Sequence, residues 1–284
     1  MHTVASITVM QDILGVHLLS SSGFAGLLTL TATTITDTQL SLASDQQTFT
    51  FYGSGFDYQM NGGEIVGLIG GTVTRIAITD AEGTTVYLDW SGLNLSAAAF
   101  SDYLTTSNWG ALNALLFNTS DTYSLSAGRD AVRGFGGDDL MRGFAGADRL
   151  IGDAGADTLL GGIGADRLTG GAGVDNLTGG AGSDAFIFTH RGAANREIIT
   201  DFNATDDALR FDTATFTGFS YTGQLNGIEF VAGAAALDPD DRFLYRRVTG
   251  NLWYDADGSG DGAKVLVAEL TDGTALSAAD IFLY

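Results

Sequence analysis

Seven aspartates recur every nine residues, at Asp130, Asp139, Asp148, Asp157, Asp166, Asp175 and Asp184. A glycine stands two positions before each. A large apolar residue stands two positions after, from Val132 through Met141, Leu150, Leu159, Leu168 and Leu177 to Phe186. Carboxylates repeated at a fixed period on a glycine-rich chain point to binding of hard cations. Calcium suits such donors best, because it takes six to eight oxygens in irregular geometry, backbone carbonyls included, whereas magnesium demands a tighter octahedron. Zinc favours His or Cys, and the repeated stretch has neither.

The elements that must position these carboxylates follow from the same period. Residues 125–187 are seven copies of one phrase, the last three nearly identical: Gly161-Gly-Ile-Gly-Ala-Asp-Arg-Leu-Thr169, Gly170-Gly-Ala-Gly-Val-Asp-Asn-Leu-Thr178 and Gly179-Gly-Ala-Gly-Ser-Asp-Ala-Phe-Ile187. Six residues form a turn that needs positive φ and close backbone approach, hence glycine. Three residues form a short strand whose middle, apolar residue faces inward. One unit cannot close around a core, but two can, as strand–turn–strand–turn. The resulting two-unit coil stacks on the next at about 4.8 Å. Val132, Leu150, Leu168 and Phe186 then line one inner face; Met141, Leu159 and Leu177 line the other. The aspartates fall into two columns, 130/148/166/184 and 139/157/175. Carboxylates stacked one strand apart repel at low dielectric, and a divalent cation between coils removes the repulsion. A flexible linker would have no reason to hold Gly, Asp and Leu in one frame over seven copies.

On these residues the stretch resembles the glycine-rich nonapeptide repeat of the RTX family. The resemblance implies a right-handed parallel β-roll with calcium held between one unit and the unit two further on. It implies carboxylate ligands from the seven aspartates. Carbonyls of the same turns, those of Gly152, Gly155, Gly161, Gly164, Gly170, Gly173, Gly179 and Gly182, would complete each shell. Counting neighbours gives three interior sites on the first edge and two on the second. The early units depart from the pattern. Leu125-Ser126 replace both leading glycines, and Phe135, Phe144 and Asp153 fill the second slot. Asp138 and Asp153 are either extra carboxylates or solvated charges.

The flanks read as β-rich. Residues 1–124 are expected to form a sandwich-like domain of short strands at 48–52, 73–78 and 85–90. Glycine clusters bound these strands, and two short helices follow at 97–104 and 108–116. This segment resembles, less specifically, β-rich modules that precede the repeats in some bacterial RTX proteins. Residues 188–284 are expected to cap the array, because an open stack exposes unpaired backbone. Strands are expected at 185–188, 198–199, 208–211, 228–231, 243–245, 252–254 and 265–268, with helical turns at 238–241 and 277–280. Ile199-Thr-Asp-Phe-Asn203, Asp207-Ala-Leu-Arg-Phe211 and Leu252-Trp-Tyr-Asp-Ala-Asp-Gly-Ser-Gly260 resemble phrases that close RTX rolls. The resemblance implies export by a type I secretion apparatus, guided by a C-terminal signal to which Asp280-Ile-Phe-Leu-Tyr284 is similar. Asp255, Asp257 and Asp261 have the spacing of a calcium loop, but Leu266 stands where such a loop needs glutamate. A hairpin turn and an additional weak calcium site both remain open there.

Composition narrows the function classes. Formal net charge is −21, which repels nucleic acid and attracts cations. There is no cysteine, so disulfides and thiol chemistry are excluded. No basic segment precedes an apolar run at the N-terminus, and 13–30 is too interrupted for a membrane span. The three histidines, His2, His17 and His190, lack the His-Glu-x-x-His spacing, and no Gly-x-Ser-x-Gly occurs. The sequence thus reads as a secreted, non-enzymatic, calcium-binding protein of a surface layer, adhesion or matrix. Its partners would be calcium, the secretion apparatus and either itself or a cell-surface component. The alternative is an RTX enzyme or toxin with an unrecognised site in 1–124.

Overall fold

The computed structural model describes residues 6–9, 31–35, 39–43, 47–61, 64–80, 86–96, 118–125, 127–260 and 262–284, with side chains from 118 onward. Two compact units, Met1–Gly137 and Asp138–Tyr284, divide the chain.

The first unit holds β1 (Ser6–Val9), β2 (Thr31–Ile35), β3 (Gln39–Ala43), β4 (Gln47–Asn61), β5 (Glu64–Asp80), β6 (Val86–Ser96), β7 (Thr122–Ser124) and β8 (Ala131–Arg133). Strands β2 to β6 form an antiparallel meander, and β1 joins its β6 edge antiparallel while pairing β7 in parallel. The expectation of short strands bounded by glycine needs correction. Strands β4 and β5 are 15 and 17 residues long and run through Gly53, Gly55, Gly70 and Gly71. Their register shifts at Tyr52/Gly53, Ser54/Asp57 and Asp57/Tyr58. Glycine inside a strand marks a bulge as readily as an end, and pairing with long partners overrides the local stop signal. Strands β1 to β7 belong to one sheet, and a second sheet of a sandwich is not among the described residues. The expected helices at 97–104 and 108–116 lie outside them.

The second unit begins with the array: β9 (Leu140–Ala145), β10 (Arg149–Ala154), β11 (Thr158–Ile163), β12 (Arg167–Ala172), β13 (Asp175–Ala181) and β14 (Ala185–Phe188). Alternate strands pair in parallel, β9–β11–β13 in one ladder and β10–β12–β14 in the other. Each residue faces its equivalent two units on: Met141 opposite Leu159 opposite Leu177, and Leu150 opposite Leu168 opposite Phe186. This is the two-unit coil of a parallel β-roll. Most strands are twice the expected length. They continue through the two leading glycines of the next unit and break only at Gly-x-Asp. The inward residues from Met141 to Phe186 are all fully buried, each contributing about 1.5–3 kcal/mol.

Strands β15 (Glu197–Ile199) and β16 (Ala208–Phe211) extend the two ladders. The spacing lengthens there. Asp175 stands opposite Glu197 and Ala185 opposite Ala208, each partner lying further along the chain than the two-unit step would place it. The rest is β17 (Gly223–Gln224), β18 (Phe230–Val231), β19 (Phe243–Arg246), β20 (Asn251–Tyr254), β21 (Val265–Leu270) and β22 (Ile281–Leu283). One sheet runs β9-β11-β13-β15-β21-β20-β19-β18 and the other β10-β12-β14-β16-β22-β17. The expected strand at 228–231 is instead a 3-10 turn, Gly227–Glu229, followed by the short β18, because Asn226 caps Ile228 N–H. At 277–280 the expected turn is a 3-10 turn closed by a reciprocal Ser277–Asp280 cap. At 238–241 the chain bends around Asp241, whose carboxylate accepts from Leu237 and Asp238 N–H at 2.6 and 3.1 Å.

Aromatic rings seal the end of the roll. Phe188 stacks on Phe211 at 4.3 Å; Phe216, Phe243 and Tyr254 close around them, all at most 1% exposed. These rings replace the narrow Leu column with bulk, so the last coil buries its inner face without another coil beyond it.

Candidate metal site

Each turn of the array has a defined backbone shape. Gly155, Gly164, Gly173 and Gly182 have φ between 134 and 149°, and Gly162, Gly171 and Gly180 between 99 and 116°. Side chains rarely adopt such angles. The departures noted in the sequence are the non-glycine residues forced into the left-handed region: Phe135 at 71°, Phe144 at 69° and Asp153 at 75°. They carry strain of about 1–2 kcal/mol each.

The turn delivers its aspartate to the inside. All seven repeat aspartates are at most 2% exposed. From Asp157 onward, one carboxylate oxygen is fixed by the coil before. Asp157 Oδ1 accepts from Asp139 N–H at 2.8 Å, Asp166 Oδ1 from Asp148 N–H at 2.7 Å, Asp175 Oδ1 from Asp157 N–H at 2.8 Å and Asp184 Oδ1 from Asp166 N–H at 2.9 Å. Asp157 and Asp166 are therefore donors through their backbone and acceptors through their side chain. Asp139, Asp157 and Asp175 thus form one continuous ladder, and Asp148, Asp166 and Asp184 the other.

The second oxygen is different. Oδ2 of Asp157, Asp166, Asp175 and Asp184 is buried with no hydrogen-bond partner. It lies over the leading glycine of the unit's turn, on the face where a side chain would be. A Cβ on Gly161 would sit 2.5 Å from Asp166 Oδ2 and 2.6 Å from Gly179 O; one on Gly152 would collide with Asp157 Oδ2 and lie 2.7 Å from Gly170 O. Absence of a Cβ at these glycines leaves a space lined by a carboxylate oxygen and a carbonyl one coil away. The carbonyls of Gly146, Gly155 and Gly164 instead crowd the third glycine of the following coil. A buried, unpartnered carboxylate oxygen costs several kcal/mol, and here the cost repeats from rung to rung. An oxygen-only cradle of this kind fits a calcium ion. Among the described residues no three acidic or imidazole side chains converge on a point; carbonyls must therefore supply the rest of each shell.

Electrostatics agree with this reading. Burial pushes Asp157 up to about 7 against the N–H bond from Asp139, with Asp175, Asp138 and Asp153 adding repulsion. Burial pushes Asp184 up to about 6, and Asp207, Asp166 and Asp201 add to it. Asp166, Asp175 and Asp207 are raised chiefly by burial as well. A divalent cation beside these carboxylates would reverse the balance and favour the charged form.

Several acids outside the seven join the ladders. Asp207 Oδ1 accepts from Asp184 N–H at 2.9 Å and adds a rung below Asp184. Glu197, 3% exposed, occupies the rung below Asp175. Asp201 caps the Gly179 and Gly180 N–H groups with both oxygens, at 2.9 and 2.8 Å. Upstream, Asp121 and Tyr123 are also buried. A signal exists for all but Asp201: Asp121-x-Tyr, Glu197-x-Ile and Asp207-x-Leu keep the acid-x-apolar spacing of the repeat. Glu197 and Asp207 escape notice because they fall outside its nine-residue frame. Asp138 is neither a rung nor simply solvated, since its carboxylate accepts from Ala156 N–H at 2.8 Å one coil on. Asp255 and Asp257 sit in the hairpin between β20 and β21, where the Asp257 carboxylate accepts from Gly262 N–H at 2.9 Å; Asp261 lies outside the described residues. His190 is exposed beside Thr189 Oγ1, and His2 and His17 are outside the described residues.

A family comparison accords with this geometry. Residues 117–150, 124–159 and 151–186 match the family model of the RTX calcium-binding nonapeptide repeat (4 copies). No curated protein matches the chain. Among solved structures, the solution structure of the AlgE6R3 subunit of the Azotobacter vinelandii mannuronan C5-epimerase is 25% identical, over 58% of this chain and 78% of that one, with a TM-score of 0.30.

Proposed function

We propose that this chain, an RTX calcium-binding repeat protein, is secreted, and that calcium outside the cell completes its fold. The single observation that carries the proposal is the ladder of buried aspartates. Asp157, Asp166, Asp175 and Asp184 each tie one oxygen to the preceding coil and turn the other, without a partner, onto a bare glycine. Without a cation the columns repel and the glycines lose much entropy on ordering. With it, binding free energy becomes folding free energy. Extracellular modules bind calcium at about 10⁻⁴–10⁻³ M, so the array stays loose where calcium is scarce and closes where it is abundant.

The proposed ligands are the seven repeat aspartates with the carbonyls of their turns. The proposed division of labour is a β-rich segment at 1–124, the calcium array at 125–187 and the cap at 188–284, which carries the type I secretion signal. The role we assign is structural rather than enzymatic, in a surface layer, matrix or adhesion. It is supported by the lack of metalloprotease or serine-hydrolase motifs and by a net charge suited to calcium. Among the described residues no helix is long and apolar enough to cross a membrane.

Circular dichroism of the full chain during a calcium titration tests the folding claim. The β signal should grow from chelator to about 10 mM calcium, above the cited range; a full signal in chelator would refute it. Light scattering with and without calcium tests self-assembly, and a monomer in both conditions argues against it.

A further inference from the structure

Glu197 is the buried acid whose side chain departs from the ladder pattern. In the coils above it, each space over a leading glycine is lined by the next aspartate in the chain and by the carbonyl of the leading glycine two units on. Gly143 faces Asp148 Oδ2 and Gly161 O, Gly152 faces Asp157 Oδ2 and Gly170 O, and Gly161 faces Asp166 Oδ2 and Gly179 O. At Gly170 the same space holds Asp175 Oδ2 and, where the carbonyl should be, Glu197 Oε2; a Cβ placed there would lie within 3.0 Å of both.

The reason lies in the change of spacing. The rung after Asp175 is Glu197, past the two-unit step, so no leading glycine of a further unit stands below Gly170. The ladder bond also changes hands. Asp175 N–H is taken by Arg196 O at 3.4 Å rather than by a carboxylate, which releases the Glu197 side chain from the acceptor role of the rungs above. One of its oxygens is met by Gly171 N–H. The other, Oε2, is buried against the Asp175 carboxylate in a residue 3% exposed and meets no other polar group. A glutamate reaches one methylene further than an aspartate, the length needed to put a carboxylate where a neighbouring backbone would have put a carbonyl.

We infer that Glu197 is a calcium ligand: with Asp175 it closes the last cation space of its column, over Gly170, a side-chain oxygen standing in for the missing carbonyl. The inference rests on the calcium reading of the array. The space over Gly170 then holds two carboxylates where those above hold one. Affinity for calcium rises with ligand charge, so this is the tightest space of its column and the one that fills first, next to the aromatic cap.

Calcium chloride titrated calorimetrically into the full-length chain, first stripped with chelator, tests this. Stoichiometry is read independently from metal content after dialysis. Glu197→Gln keeps shape and removes charge; it is expected to lose one calcium, or to weaken the tightest class at least tenfold, while the remaining ions still bind. Gly170→Ala keeps both acids in the chain but fills the space between their oxygens, and is expected to lose the same ion. Dichroism in saturating calcium shows whether each variant folds. Two folded variants that bind as many ions as the wild type, with affinities within twofold, overturn the assignment. A wild-type chain that takes up no calcium would instead refute the reading beneath it.

Discussion

Gly161→Ala isolates the space on which the calcium reading depends. The backbone at Gly161 is not among the positive-φ residues, so alanine brings no conformational strain. Its Cβ would stand 2.5 Å from Asp166 Oδ2 and 2.6 Å from Gly179 O, well inside ordinary contact. Two costs follow. Overpacking a close-packed interior costs about 1–3 kcal/mol. Loss of one bound ion removes RT ln(1 + [Ca]/Kd). At about 10 mM calcium and a Kd of about 10⁻⁴–10⁻³ M this is about 1.4–2.7 kcal/mol. Together the variant should lose about 2–6 kcal/mol in calcium and only the packing part in chelator. Gly227→Ala, with nothing within 4 Å and no positive φ, is the control and should be neutral. Thermal unfolding followed by dichroism, with and without calcium, reads the difference; dialysis counts the ions. A Gly161→Ala protein with the wild-type midpoint and ion count would show that the space over the glycine is not where calcium sits.

Asp166→Ala should destabilise the array by about 1–3 kcal/mol in calcium beyond the lost ion, because it orphans the buried Asp148 N–H; a melting curve checks it. Asp184→Ala should behave alike, since it orphans the buried Asp166 N–H. Phe144→Gly should stabilise by about 1 kcal/mol, relieving a φ of 69° in a side chain 53% exposed; denaturant unfolding in calcium would show a higher midpoint. Acid should promote the calcium-free roll. Asp157 titrates near 7 when folded and near 3.8 otherwise, so the native state binds the extra proton. Stability from this group is complete below about pH 4 and is lost as pH rises through about 7. Chelated protein should therefore show more β signal at about pH 4.5 than at about pH 8. Calcium binding at about pH 6 should release protons, seen as a dependence of binding heat on buffer ionisation.

The nine-residue period was enough to specify the roll. It assigned Met141, Leu159 and Leu177 to one wall and Leu150, Leu168 and Phe186 to the other, and it set the repeat aspartates in two columns along the edges; that those carboxylates are buried came from the structure. It also marked Phe135, Phe144 and Asp153 as misfits before their φ values supplied the reason. Glycine was a poorer guide in 1–124. There the same residue that ends a strand also kinks one, and only pairing between β4 and β5 distinguishes the two. The end of the array was likewise beyond a fixed frame. Rungs Glu197 and Asp207 fall past the two-unit step, where Phe188, Phe211, Phe216, Phe243 and Tyr254 pack the end of the roll. Sequence by itself thus determined the repeating coil and the kind of ion it suits, since both depend on contacts between identical neighbours. Tertiary structure decided where the columns stop, and that a glutamate side chain stands there in place of a backbone carbonyl. Those outcomes depend on residues far apart in the chain, brought together only when the cap packs on the last coil.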